Sequence, residues 1–385
     1  MKKFILCFSL CLLVLFFAAP FSYAADDILE SPNVKIIIDG KTDTYTDVPI
    51  ILNGRTLLPL RAVLTNLGVQ NDDQHIIWNG SEQSVTIYKN SAKIYLKVNS
   101  KEAYVNDAPV ILDVSPILYK GRTYIPARFV AQSLGKKVVW DGSLNAVLIR
   151  DESEFNKIKE ILDKSDAAMN SLKKAKFNMD MNMSMAQTGF NMNFDIGMRG
   201  EVDKTKKVMY LSMNMPFFGQ DKNIESYFSD NMQYTMNPLT GEWEAETLPP
   251  EEYEELFNEN DNTSVLDVND ALCAGLLIAN GANTDEILLK GNVYMDEILN
   301  KANKDKNISE YKIVQSYIEI SINKNTYLVN KLYMDMNGTM VAENAELQFS
   351  AKVTCTYSDL NGDFEIILPD FDGIAIPGET EQNTL

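Results

Sequence analysis

Between Phe177 and Met185 the chain alternates without a break: Phe177, Met179, Met181, Met183 and Met185 are separated by Asn178, Asp180, Asn182 and Ser184. A period of two sends successive side chains to opposite faces of a β-strand. The alternation returns after a Gln187-Thr188-Gly189 turn at Phe190, Met192, Phe194, Ile196 and Met198. It recurs at Met209, Leu211, Met213 and Met215, and again at Met232, Tyr234 and Met236, before a turn at NPLTGEW. Such strands, joined by short turns, predict an antiparallel meander with one apolar face. Just upstream, Phe155, Ile158, Ile161, Leu162, Ala168, Met169, Leu172 and Ala175 follow helical spacing and predict a helix over 154–176. Downstream the pattern predicts an acidic helical insert (PPEEYEELF, then 265–280 and 293–301). Strands are then expected at 311–322, 326–336, 345–357 and 363–368.

The first third of the chain is organised by an internal repeat. ILNGRTLLPLRAVLTNLG (51–68) and LYKGRTYIPARFVAQSLG (118–135) share Gly54/Gly121, Arg55/Arg122, Thr56/Thr123, Pro59/Pro126, Arg61/Arg128, Leu67/Leu134 and Gly68/Gly135 at a constant offset of 67 residues. Asn53-Gly54 between apolar runs is a hairpin turn, and Lys120-Gly121 takes its place in the second copy. Pro59 and Pro126 suit the first turn of a short helix. Leu60, Val63, Leu64 and Leu67 give that helix its buried face, and Gly68 or Gly135 its stop. Each copy then returns to strand near a tryptophan, Trp78 or Trp140, with five extra residues before it in the first copy. Two such units would bury one shared core.

On these residues, 34–150 resembles the copper amine oxidase-like N-terminal domain of secreted bacterial proteins. The resemblance implies a non-catalytic surface or stalk module. Copper amine oxidases hold copper with three histidines and make their cofactor from a tyrosine in an Asn-Tyr-Asp/Glu setting. This chain has one histidine, His75, in the inserted NDDQH loop, and no such tyrosine motif. Arg55, Arg61, Arg122 and Arg128 read either as a carboxylate or glycan site or as paired structural arginines of the repeat.

The segment that opens DKSDAAMNSLKKAKFNMDMNM and closes TYSDLNGDFEIILPD, over 154–370, resembles the LolA and LppX-like half-barrel proteins that carry lipid groups. The expected class is therefore α+β: a two-repeat, β-rich N-terminal domain with short helices, then an antiparallel half-barrel-like sheet packed on helices. The expected boundaries are a signal peptide at 1–24, the repeat domain at 25–150, the sheet domain at 151–376 and a polar tail at 377–385.

The signal peptide rests on MKK, the apolar run from Phe4 to Ala19 and the small-residue end Ser22-Tyr23-Ala24. No later segment is long and apolar enough to span a bilayer. Without Lys2 and Lys3, 33 basic side chains face 54 acidic ones, a balance that repels nucleic acid and anionic headgroups. Only Cys273 and Cys355 remain beyond the signal segment, which excludes a disulfide-dense scaffold. Walker, G-x-G-x-x-G, H-E-x-x-H and G-x-S-x-G motifs are absent, and one histidine leaves little room for acid–base catalysis.

What remains is the methionine face. Residues 177–236 hold 11 of the 17 methionines. Thioethers suit Cu(I), but here they have no histidine or cysteine beside them and spread over several strands. Methionine specifies core packing poorly and is favoured where a surface adapts to varied apolar partners. Met179, Met181, Met183, Met192, Phe194, Met198, Met209 and Met213 are therefore expected to line a site for an apolar or lipid-like ligand, with no catalytic residue, no metal and no cofactor. The expected protein is secreted, extracellular or cell-surface associated, and bound through 25–150 to a cell-wall or envelope component. The alternative is a structural spacer or adhesion module without a small-molecule ligand.

Overall fold

The computed structural model describes residues 28–42, 47–142, 145–187, 190–217, 220–257, 268–281, 284–293, 308–342, 345–371 and 374. The signal segment, the tail from 377 and all but the first residue of the helix expected at 293–301 lie outside the described residues.

In chain order the first strands are β1 (Ile28–Glu30), β2 (Lys35–Ile38), β3 (Lys41–Thr42), β4 (Ile50–Leu52), β5 (Arg55–Pro59), β6 (Ile76–Asn79) and β7 (Ser84–Lys89). Then come β8 (Ala92–Lys97), β9 (Glu102–Val105), β10 (Ala108–Ile111), β11 (Ile117–Tyr119), β12 (Arg122–Pro126), β13 (Lys136–Asp141) and β14 (Ala146–Asp151). Helix α1 (Leu60–Asn66) follows β5 and α2 (Ala127–Ser133) follows β12. The chain divides into two compact units. Residues 45–134, with those up to Asn33, form the first; residues 34–44 and those from Gly135 onward form the second.

The first unit shows its repeat as symmetry. Its two sheets run β1-β4-β5-β12-β11 and β10-β9-β8-β7-β6. In the former, β5 and β12 pair antiparallel with Leu58 opposite Ile125, two residues that are equivalent in the repeat. A pseudo-two-fold axis therefore passes between these strands. The hairpin turns form as expected, with Asn53 at φ 51° and Gly54 at φ 71°, and Lys120 at φ 47° and Gly121 at φ 74°. A lysine at positive φ carries a steric cost that asparagine largely avoids. Pro59 and Pro126 stand one residue earlier than expected, as the caps that close the strands and precede the first helical residue. There proline's fixed φ costs nothing and no N–H is wasted. Val63, Leu64, Ile76, Ile87, Ile94, Ile125 and Val130 are fully buried in this unit.

In the second unit, β13-β14-β2-β3 form a small sheet in which β14 and β2 run parallel. Helix α3 (Glu152–Asn170) follows, its N-terminus capped by the Asp151 carboxylate, which accepts from the Ser153 and Glu154 amides at 3.0 and 3.3 Å. Then come β15 (Lys174–Gln187), β16 (Phe190–Asp203), β17 (Val208–Phe217), β18 (Gln220–Ser229), β19 (Met232–Met236) and β20 (Trp243–Thr247). Two short helices, α4 (Pro250–Glu255) and α5 (Asp270–Gly275), separate these from β21 (Leu276–Asn280), β22 (Glu286–Asn292), β23 (Ile308–Asn323), β24 (Val329–Ala342) and β25 (Ala345–Ser358). All eleven strands make one antiparallel sheet, in the order β20-β19-β18-β17-β16-β15-β25-β24-β23-β22-β21. Two meanders thus meet where β25 returns against β15, and the class is α+β as expected.

Three expectations are corrected. Of the helix expected at 265–280, residues 265–267 lie outside the described residues; among the rest only 270–275 is helical, while 276–280 is β21, an edge strand held by its pairing with β22. Residues 363–368 form no strand: β15 already has a neighbour on each side, and the segment is held by lysine side chains instead, Lys174 donating to the Phe364 carbonyl at 2.8 Å and Lys206 pairing with Glu365. Strands β18, β20 and β22 were not anticipated, because their apolar residues are diluted by charge (QDKNIESYFS, WEAET, EILLKGN).

Candidate functional site

Strand registers place all eight expected lining residues on one face of the large sheet. Met179 lies opposite Met198, Met181 opposite Ile196, Met183 opposite Phe194 and Met185 opposite Met192. Met198 in turn lies opposite Met213, and Val202 opposite Met209. On the other side of β15, Met179, Met181, Met183 and Met185 face Cys355, Val353, Ala351 and Phe349. The face continues across β24, where Met334 and Met336 stand opposite Val353 and Ala351 and Met340 opposite Leu347. These methionines of β24 went unremarked in the sequence, although Met334 and Met336 carry the same period-two signal. Met232, Tyr234 and Met236 are the exception. Register with β18 turns them to the opposite face, where Tyr234 stacks on Phe371 with ring centroids 3.9 Å apart.

This face is covered unevenly. Over β21–β25 it is core: Phe155, Ile158 and Leu162 of α3 pack with Leu276, Leu289, Ile318, Ile320, Ile322, Leu332 and Cys355, all nearly or fully buried. Phe177 and Met179 border that cluster. A second cluster joins Ile313, Met336, Met340, Phe349 and Ala351, bordered by Met183 and Met185. A third lies under α4, whose Tyr253, together with Phe257 just beyond it, packs on Phe228 and borders Val202, Met209 and Leu211. Tyr253 also fixes α4 through its hydroxyl, which accepts from the Asp230 amide at 3.0 Å and donates to the Lys207 carbonyl. Between these clusters, Met181, Phe194, Ile196, Met198, Met213, Met215 and Ile224 are only half-buried, and they belong to none of the three. Met192, at 38% exposure, lies at its margin.

The chemistry of this floor is apolar. On β15, β16 and β17 the same-face positions from Phe177 to Met185, Met192 to Val202 and Met209 to Met215 carry no charge. Polar groups enter from β18 outward: Lys222, opposite Met215, and Ser226 lie on this face, followed by Gln233, Thr235, Glu244 and Glu246, which line a small cleft. The two thiols are free and buried. Burial pushes the Cys273 thiol up to about 11 and raises that of Cys355, so neither is a thiolate at neutral pH. Among the described residues, no group of three or more His, Cys, Asp or Glu side chains is placed to hold a metal ion. No helix among them is long and apolar enough to cross a membrane.

In the first unit, the arginines of the repeat make ion pairs that cross between copies. Arg55 Nε pairs with Asp113 at 2.9 Å and Arg122 Nε with Asp47 at 3.4 Å. Both arginine side chains are more than half exposed (54% and 66%), so each pair contributes at most about 1 kcal/mol. Arg61 donates to the Asn71 carboxamide at 2.9 Å, and Arg128 is exposed. His75 sits in the turn before β6, its Nδ1 2.7 Å from the Asp72 carboxylate.

Comparison with known proteins returns the two resemblances read from the sequence. Residues 37–149 match the copper amine oxidase N-terminal domain family, and residues 157–270 and 279–371 match a family of unknown function, DUF6612. No curated protein matches the chain. Among solved structures, LprF from Mycobacterium bovis is 12% identical and covers 56% of this chain and 97% of its own, with a TM-score of 0.34. The lipoprotein LppX from Mycobacterium tuberculosis is 8% identical, covers 55% and 99%, and has a TM-score of 0.31. A LolA superfamily protein from Nitrosomonas europaea is 12% identical, covers 55% and 95%, and has a TM-score of 0.19.

Proposed function

The chain belongs to a family of unknown function, DUF6612, and we propose that it is a non-catalytic carrier whose second unit holds an apolar or lipid-like ligand. The observation that carries this reading is the half-buried floor of Met181, Phe194, Ile196, Met198 and Met213 between three buried clusters. Apolar surface left in water costs about 25 cal/mol per Å², and a contiguous exposed apolar patch is a usual mark of a binding surface. Methionines adapt to ligands of different shape, since each has three rotatable bonds and a polarizable sulfur. The polar edge at Gln233, Thr235, Glu244 and Glu246 suits the head of an amphipathic ligand whose tail lies on the floor.

The same reading makes the protein a secreted component of the cell envelope, attached through its first unit. This is supported by the basic, apolar and small-residue pattern at 1–24. The test is mass spectrometry of the purified full chain, native and then after solvent extraction. A co-purifying apolar molecule released by extraction is the expected result. A chain that is empty and also fails to take up an apolar fluorescent dye would make the floor ordinary core.

A further inference from the structure

The first unit contains a surface cleft of about 410 Å³, within the range of roughly 300–1,000 Å³ typical of small-ligand sites. Arg61 and Trp78 from the first repeat and Arg122 and Thr123 from the second line it together with Asp47. The pairing of β5 with β12 about the pseudo-two-fold is what brings the second repeat's Arg122 beside the first repeat's helix. Trp78 is 39% exposed. An indole exposed to this extent at a cleft wall offers a flat apolar platform.

The charge of the cleft runs against that of the chain. Residues 45–134 carry nine Lys and Arg against seven Asp and Glu, in a protein whose net charge is −19. Within the cleft two guanidinium groups face one carboxylate. Arg61 spends a donor on a neutral carboxamide, and the Arg122–Asp47 pair lies open to water. Guanidinium forks match a carboxylate bidentately. Asp47 and Thr123 add acceptors for hydroxyl groups. A polyanion such as nucleic acid needs a run of phosphate contacts, and one net positive charge does not supply it.

We propose that this cleft binds a carboxylate-bearing saccharide, with the sugar's C–H face on Trp78 and its carboxylate between Arg61 and Arg122. This rests on the reading of the first unit as the attachment module and gives that attachment a chemistry. Two sources share it: a uronic-acid polymer, and an N-acetylmuramic acid whose lactyl carboxylate has been freed of its stem peptide.

The test is calorimetric titration of the full chain with oligogalacturonate, with N-acetylmuramic acid and with neutral maltotriose. Both acidic sugars, or one of them, are expected to bind at least tenfold more tightly than maltotriose, and the tighter of the two identifies the source. Trp78→Ala and Arg122→Lys should each weaken acidic-sugar binding at least tenfold, the second because a lysine keeps the charge but loses the fork. Trp78→Phe, which keeps a flat ring, should retain most of it. Arg55→Ala, the repeat equivalent of Arg122 outside the cleft, should leave binding unchanged. Equal binding of maltotriose, no saccharide binding at all, or an Arg55→Ala loss as large as that of Arg122→Lys would overturn the proposal. Sedimentation with isolated envelopes separates the two failures: a Trp78→Ala protein that still sediments leaves attachment standing and removes this cleft from it.

Discussion

The carrier reading makes its sharpest prediction at Met181. This side chain lies midway along β15, between the cluster bordered by Phe177 and Met179 and the one bordered by Met183 and Met185. Its cross-strand neighbours are Ile196 and Val353, so a carboxylate introduced there meets no charge or donor on its own face. Fully burying a methionine is worth about 1.5–3 kcal/mol, and at a half-buried site roughly half of that is at stake. Met181→Asp should therefore cost about 0.8–1.5 kcal/mol of stability, because in the empty protein the carboxylate can still reach water. An apolar ligand on the floor removes that water. Burying a polar group without a partner costs about 2–7 kcal/mol, and even the low end, at 1.4 kcal/mol per decade, lowers affinity about 30-fold or more. Met181→Leu, nearly isosteric, should change stability by less than about 1.5 kcal/mol and keep the ligand. Urea unfolding of the full chain reads the first quantity, and titration with an apolar fluorescent dye reads the second. A stability loss above about 4 kcal/mol would show the position to be packed core. Unchanged dye affinity in Met181→Asp would show that the floor is not where the ligand lies.

Other predictions concern the scaffold. Leu162→Ala, at a fully buried position of α3, should cost about 2–5 kcal/mol by urea unfolding, well above any single change on the open floor. Asp151→Ala should cost about 1 kcal/mol by removing the α3 cap. The Ser153 hydroxyl and the Glu154 and Ser153 amides that bond to Asp151 hold its carboxyl below the ordinary value. Its contribution is thus present above about pH 4 and lost as the pH falls through the lowered folded value, so the wild-type and Asp151→Ala stability curves should converge in acid. Cys273 and Cys355 should resist iodoacetamide in the native protein at pH 8 and react in urea; rapid native labelling of either would contradict their burial.

What the sequence made legible was whatever repeats or alternates. The two copies of Gly-Arg-Thr with their prolines placed both hairpins and both short helices to within a residue, because turn chemistry at Asn53-Gly54 is local and needs no tertiary help. The alternation at Phe177–Met185 and Phe190–Met198 placed β15 and β16 on their correct faces. The same period-two signal misled at Met232, Tyr234 and Met236, because the face that an isolated run presents is set by its register with a neighbour, here β18. Nothing in MQYTM encodes that register, and β18 itself was obscured by its charged residues.

The division of one apolar face into core and open floor was illegible for a related reason. Ile318, Ile320 and Ile322 are buried and Met181, Ile196 and Met213 half-open, yet all alternate in the same way; only the placement of α3 and α4 separates them. A composition difference does follow that division. The β22–β23 stretch beneath α3 is rich in isoleucine and leucine, while the floor of β15–β17 is rich in methionine. Branched side chains with few rotamers suit a contact that is always made, and unbranched thioethers suit one made with changing partners. The contrast is thus between the methionine-rich floor of β15–β17 and the isoleucine and leucine of β22–β23 under α3; the covered β24 between them still carries the buried Met336 and Met340.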